Sequence, residues 1–174
     1  HLGLYPQAEI VIDRVIWENM YVLAVTTTPR AWRGTNRLVG RALHVSVALG
    51  LHPELVIERH SEVGLLCDLI SEVRYIGEIG LDATPKCRPS LDNQQDVFCR
   101  VLSACGKVGG RILSIHSRRA ASAVLDSLEA FPDAGTPVLH WFSGTANELR
   151  RAVDLGCWFS VGPAMLASTK GCGL

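Results

Sequence analysis

Apolar positions along this chain come in short continuous runs, and amphipathic stretches separate one run from the next. Runs rich in β-branched residues predict strands over 21–27, 44–51, 75–81, 111–116, 136–141 and 157–161. Helical spacing, or a helix-starting turn, falls between them over 7–19, 29–42, 53–71, 91–108, 119–130 and 145–155. Gly34 is expected to interrupt the second of these helices, and Gly109-Gly110 to stop the long fourth one. A further strand should lie just upstream and end at His1. Strict alternation of strand and helix predicts a parallel sheet covered by helices in one domain.

Parallel α/β folds place ligand sites where the C-terminal ends of the strands converge and the following loops wall off a pocket. Glu78 lies near the end of the 75–81 run, His116 ends the 111–116 run, and His140 closes Pro137-Val138-Leu139-His140. A carboxylate and two imidazoles on successive strand ends form an oxygen and nitrogen donor set for a metal. His52 falls at the end of the 44–51 run, and Asp82 follows the Glu78 strand as a loop support or a turn former. Trp141 and Phe142 are expected to be buried under the rim rather than stacked on a base. His44, at the opposite strand edge, and His60, within a helix, read as structural.

Composition narrows the picture. The chain is 48% hydrophobic and 20% charged, which fits a globular domain rather than a disordered one. Its formal net charge of +0 provides no global field for nucleic acid, although Arg118-Arg119 and Arg150-Arg151 are local basic pairs. The cysteines form no CxxC pair. Cys67, Cys99, Cys105 and Cys157 sit among apolar neighbours and are expected to be buried free thiols, which implies a reducing cytoplasm. No membrane-length apolar run or signal peptide is visible.

The sequence resembles the TatD family of metal-dependent hydrolases, a family associated with DNase activity. Gly77-Glu78-Ile79-Gly80-Leu81-Asp82, Ile115-His116-Ser117-Arg118, His140-Trp141-Phe142-Ser143-Gly144 and Gly50-Leu51-His52-Pro53 carry the resemblance, in the family's order. It runs from His1 to about Pro163. The fold it implies is a (β/α)₈ TIM barrel of the metallo-dependent hydrolase type, typically about 250 residues. At 174 residues the chain is expected to be a single truncated barrel domain over 1–174, lacking most of strand 1 and strand 8.

The resemblance also implies the site. His1, Glu78, His116 and His140 would ligate two divalent metal ions (Mg, Mn or Zn), with Glu78 bridging them and serving as the catalytic carboxylate. His52 and Arg118 would contact substrate. His1-Leu2 is similar to the second half of a His-x-His pair whose first histidine would lie upstream. Gly3 stands where the family commonly has Asp, so the orientation of His1 is open. The family's last carboxylate would follow strand 8.

The implied activity is cleavage of phosphodiester bonds in DNA by metal-activated water. With an incomplete ligand set and open sheet edges, this piece is expected to turn over negligibly and to be poorly soluble alone. One alternative is an amidohydrolase that cleaves C–N or C–O bonds. Another is a non-catalytic binding subunit, which Gly3 favours and the retained Glu78, His116 and His140 oppose. Thr26-Thr27-Thr28-Pro29 and Ser160-Val161-Gly162-Pro163-Ala164-Met165-Leu166 are similar to the TatD-like member of bacterial Qat anti-phage defence systems, which implies defence-complex partners.

Overall fold

The computed structural model describes residues 1–40 and 42–168. Six strands run parallel and in sequence order: β1 (Val22–Val25), β2 (Val45–Ala48), β3 (Tyr75–Gly80), β4 (Ile112–His116), β5 (Thr136–His140) and β6 (Trp158–Phe159). They form two ladders, β1-β2 and β3-β4-β5-β6. A bridge between Leu49 and Ile76 joins them, with Leu49 N–H donating to Tyr75 O at 3.0 Å and Gly77 N–H to Leu49 O at 2.8 Å. Among the described residues β1 and β6 are the edges of the sheet.

Helices α1 (Ala8–Trp17), α2 (Pro29–Val39), α3 (Val56–Arg59), α4 (Val63–Leu69), α5 (Leu91–Val108), α6 (Ala121–Ala130), α7 (Ala146–Asp154) and α8 (Pro163–Leu166) fill the connections. The main core lies between the sheet and the helices, where Phe98, Leu102, Leu113, Ile115, Leu125 and Leu139 have no exposed surface. A smaller core joins α1 and α2 to β1 and β2, and Trp32 packs against both. Alternation within the strands separates the two faces of the sheet. Leu113, Ile115 and Leu139 are buried in the core, whereas Ser114, His116, Val138 and His140 line a cavity.

Several elements depart from the sequence reading. Helix α2 runs unbroken through Gly34, because that exposed position loses only the modest helix propensity of glycine and no packing contact. The 53–71 region is a chain of short α and 3₁₀ pieces rather than one helix, and Glu62 is buried at one of their junctions. The last strand shortens to two residues, since nothing among the described residues pairs with its far side. Leu2–Leu4 form a 3₁₀ turn. Trp141 is 57% exposed rather than buried, while Phe142 is buried as expected. Cys105 and Cys157 are buried free thiols, with burial pushing Cys105 up to about 12, whereas Cys67 and Cys99 are only partly buried. Cys172 lies outside the described residues. Arg151 is tied to Asp126 and Glu129 at 2.6 and 2.7 Å, so it is not a free basic site. Among the described residues no helix is long and apolar enough to cross a membrane.

The C-terminal ends of β1, β2 and β3 are stitched together at Thr26. Its Oγ1 donates to Ala48 O at 2.9 Å and accepts from Gly50 N–H at 3.0 Å. Its backbone N–H donates to Gly77 O at 3.1 Å, and its carbonyl accepts from Glu78 N–H at 3.2 Å. This crossing requires the chain at Gly50 to lie directly on β3. A Cβ there would sit 2.3 Å from the Gly77 carbonyl carbon and 2.4 Å from Glu78 N.

Gly50→Ala should therefore displace the backbone under Glu78 and cost about 1–3 kcal/mol. Gly34→Ala, where a Cβ meets nothing within 4 Å, should instead stabilise by about 1 kcal/mol. Urea unfolding of both variants checks this, and a neutral Gly50→Ala would contradict the close approach.

Candidate metal centre

Glu78, His116 and His140 come together at the C-terminal edge of the sheet, where His116 and His140 are register partners on β4 and β5. With His1, His52 and Arg118 they line a cavity of about 940 Å³. Leu23, Val25 and Val138 add apolar lining, and Trp141, Ser143 and Ser160 also border it. The residues given ligand or substrate-contact roles from sequence thus border one cavity.

Glu78 is 3% exposed and lies at the centre of this arrangement. Its Oε1 lies 2.9 Å from His116 Nδ1 and 3.6 Å from His52 Nε2, while Oε2 lies 3.3 Å from His1 Nε2. Burial pushes its pKa up, but hydrogen bonding to His1, His116 and His52 outweighs burial and holds it well below the usual carboxylate range. The reciprocal effects follow. The Glu78 hydrogen bond raises His1 against its own burial. Burial lowers His116, yet Glu78 and Asp82 together bring it above its ordinary value. His140 is lowered, chiefly by burial, which favours the neutral imidazole and the one ring lone pair it can offer a cation.

The scaffold sorts the histidines by what it offers their other nitrogen. Val25 O, at 3.1 Å from His1 Nδ1, can only accept, so Nδ1 carries hydrogen and Nε2 turns to Glu78. Glu54 N–H donates to His52 Nδ1 at 3.2 Å, which uses that lone pair and leaves hydrogen on Nε2. His52 is therefore a hydrogen-bond donor held edge-on between the rings of His1 and His116, not a ligand, although it lies within ligating distance of His1 and Glu78. His140 stacks on Trp141 with centroids 5.2 Å apart, and its Nδ1 faces Ser160 Oγ at 3.3 Å.

The donor chemistry suits a divalent cation, and His1, His52 and Glu78 have ligand atoms within 4.8 Å of one another. His1, His116 and His140 with a buried carboxylate are a nitrogen and oxygen set suited to zinc or manganese. Among the described residues the ion-pair partners of Glu78 are all histidines, whose protons a cation would replace. Gly3 leaves His1 anchored by Val25 O rather than by a neighbouring carboxylate, and a Cβ at Gly3 would meet nothing within 4 Å. Glu54, Asp82 and Cys87 form a second close group. Both oxygens of Asp82 are already engaged there, by Thr84 N–H at 2.8 Å and His116 Nε2 at 2.8 Å.

Sequence reading missed Gln94, Ser160 and the contact of Asp82 with His116. Gln94 left a signal, for it occupies the apolar stripe that continues through Val97, Phe98, Val101, Leu102 and Cys105. A polar residue on a core face needs polar partners. Ser160 and the two-sided use of His116 left none, since both depend on how neighbouring strands are placed.

Residues 7–171 match the family described as TatD related DNase. Curated relatives include the uncharacterized metal-dependent hydrolase YjjV of Escherichia coli (strain K12), 33% identical over 121 residues, 66% of this chain and 46% of that protein. An uncharacterized metal-dependent hydrolase of Haemophilus influenzae is 31% identical over 122 residues, with the same shares of each chain. The chain spans about half the length of these curated relatives. Among solved structures, YjjV, the TatD homologue of Escherichia coli K12, superposes with a TM-score of 0.84 at 24% identity, covering 95% of this chain and 66% of that one. A TatD family hydrolase from Entamoeba histolytica gives 0.78 at 19% identity, covering 95% and 59%. The fold is accordingly that of an incomplete (β/α)₈ barrel.

The shifts at the site set a pH dependence for the metal-free protein. His1 and His116 have raised values, so the stability they contribute is full below about pH 6.5 and is lost as pH rises through their folded values. His140 is lowered, so its contribution is present above about pH 6.5 and is lost as pH falls. In EDTA, urea midpoints should therefore decline on the alkaline side of about pH 6.5, and Glu78→Gln should remove most of that decline. An unchanged alkaline slope in the variant would contradict the pairing.

Proposed function

Because the chain belongs to the TatD related DNase family, whose curated relatives here are metal-dependent hydrolases, we propose that its cavity hydrolyses phosphodiester bonds in DNA. The observation that carries this reading is the division of donors about Glu78. One carboxylate oxygen faces His116 and the other faces His1, 2.9 and 3.3 Å away. A carboxylate placed in this way suits two cations better than one, since it is shared between them and offsets their repulsion. His1 would serve one cation, and His116 and His140 the other. Bound magnesium, manganese or zinc would supply Lewis-acid charge to the phosphoryl oxygens and a water ionised near neutral pH.

The chain's own residues provide the rest. Among the described residues the Arg118 guanidinium has no ion pair or hydrogen bond, and it borders the cavity. A fork of N–H donors without a carboxylate partner suits an anionic phosphate oxygen. His52 presents Nε2–H beside Glu78 and can donate to the same substrate. Leu23, Val25 and Val138 contribute apolar surface to the same cavity. An amide or lactone carbonyl carries no charge for Arg118 to meet, and this favours phosphodiesters over an amidohydrolase reaction.

Turnover by this chain, assayed on single-stranded DNA with manganese, is expected to be low but metal-dependent, and EDTA should abolish it. Arg118→Ala should lower kcat/KM on the phosphodiester about 10- to 100-fold and leave a neutral ester or lactone unaffected. His116→Ala and His140→Ala act on the same cation, so the double variant should lose no more than the worse single one. Full activity in metal-free protein, or preference for the lactone panel, would overturn this function.

A further inference from the structure

We infer that Asp82, clamped by Gln94, is a positioning residue that sets His116 to meet a cation through Nδ1. Gln94 is fully buried on α5. Its Oε1 accepts from Asp82 N–H at 2.7 Å, and the two hydrogens of its Nε2 are shared among Asp82 O at 3.2 Å, Cys87 O at 3.0 Å and Ser90 Oγ at 2.9 Å. Both peptide groups of Asp82 are therefore held by one side chain, which fixes where the carboxylate stands.

That carboxylate is itself fully buried, and both of its oxygens are engaged. Oδ1 accepts from Thr84 N–H at 2.8 Å, and Oδ2 lies 2.8 Å from His116 Nε2. An ionised carboxylate only accepts, so Nε2 carries hydrogen and the ring is locked with Nδ1 towards the cavity, 2.9 Å from Glu78 Oε1. A carboxylate on the outer nitrogen fixes the orientation of a ligating histidine and raises its basicity. His1 receives only a backbone carbonyl at the same place, and His140 only a hydroxyl. Of the three ligand histidines, His116 alone among the described residues has a carboxylate behind it.

The inference rests on the metal-binding reading above, and its test separates the two. Asp82→Asn keeps the shape, and Thr84 N–H requires the amide oxygen to stay on its side. The amide NH₂ then faces Nε2, which must present a lone pair and send its hydrogen to Nδ1. Zinc affinity measured by competition with a chelating dye should fall about 10- to 100-fold. In the zinc-loaded wild type, long-range ¹⁵N–¹H correlation should show hydrogen on His116 Nε2 and zinc on Nδ1. That assignment decides the matter even if the variant does not fold. Zinc on Nε2, or an Asp82→Asn protein that binds zinc as tightly as wild type, overturns the role of Asp82 and leaves the proposed function standing. A wild-type chain that takes up no zinc overturns both.

Discussion

A carboxylate 3% exposed at the end of a central strand is the constraint around which this protein is arranged. Removing an ionised Glu78 from water is costly unless positive charge replaces the solvent. No lysine or arginine among the described residues supplies it. His1, His52 and His116 surround the carboxylate instead. Imidazoles can give up protons to a cation where an arginine could not. The site is therefore balanced by groups that a metal can replace, and this distinguishes a binding centre from a structural salt bridge.

Placing that carboxylate calls for precise backbone geometry. Thr26 links β1, β2 and β3 by hydrogen bonds from both its side chain and its peptide, and Gly50 permits a contact that a Cβ would block. The histidines are then oriented by what stands behind each ring: a carbonyl for His1, a peptide N–H for His52, a carboxylate for His116 and a hydroxyl for His140. In the proposed reading, hydrogen-bond direction separates the ligand histidines from the donor His52. Proximity alone would have counted His52 as a ligand.

Much of this was legible in the sequence because strand and helix periods differ sharply. Helix α5 spans Leu91–Val108, as its apolar spacing indicates, and the parallel order of the strands follows from the βα rhythm. Glu78, His116 and His140 were legible because each sits at or near the end of an apolar run. Trp141 was not: its positive φ of 47° turns the ring outward onto His140, and no local pattern encodes that. Nor was the fragmentation of the 53–71 region, where burial of Glu62 and tertiary packing override simple periodicity. The role of Asp82 was hidden for a related reason, because its partner lies 34 residues away on the next strand.

Glu78, with the histidines around it, is proposed to hold a cation. X-ray absorption at the zinc edge of stoichiometrically loaded protein tests this most directly. The expected spectrum has a first shell of nitrogen and oxygen at about 2.0–2.2 Å with the multiple scattering of imidazole rings. A shell containing sulfur would place the ion at Cys87 or another thiol, and an all-oxygen shell without imidazole would place it on surface carboxylates. Either result would contradict the assignment of this cavity as the metal centre.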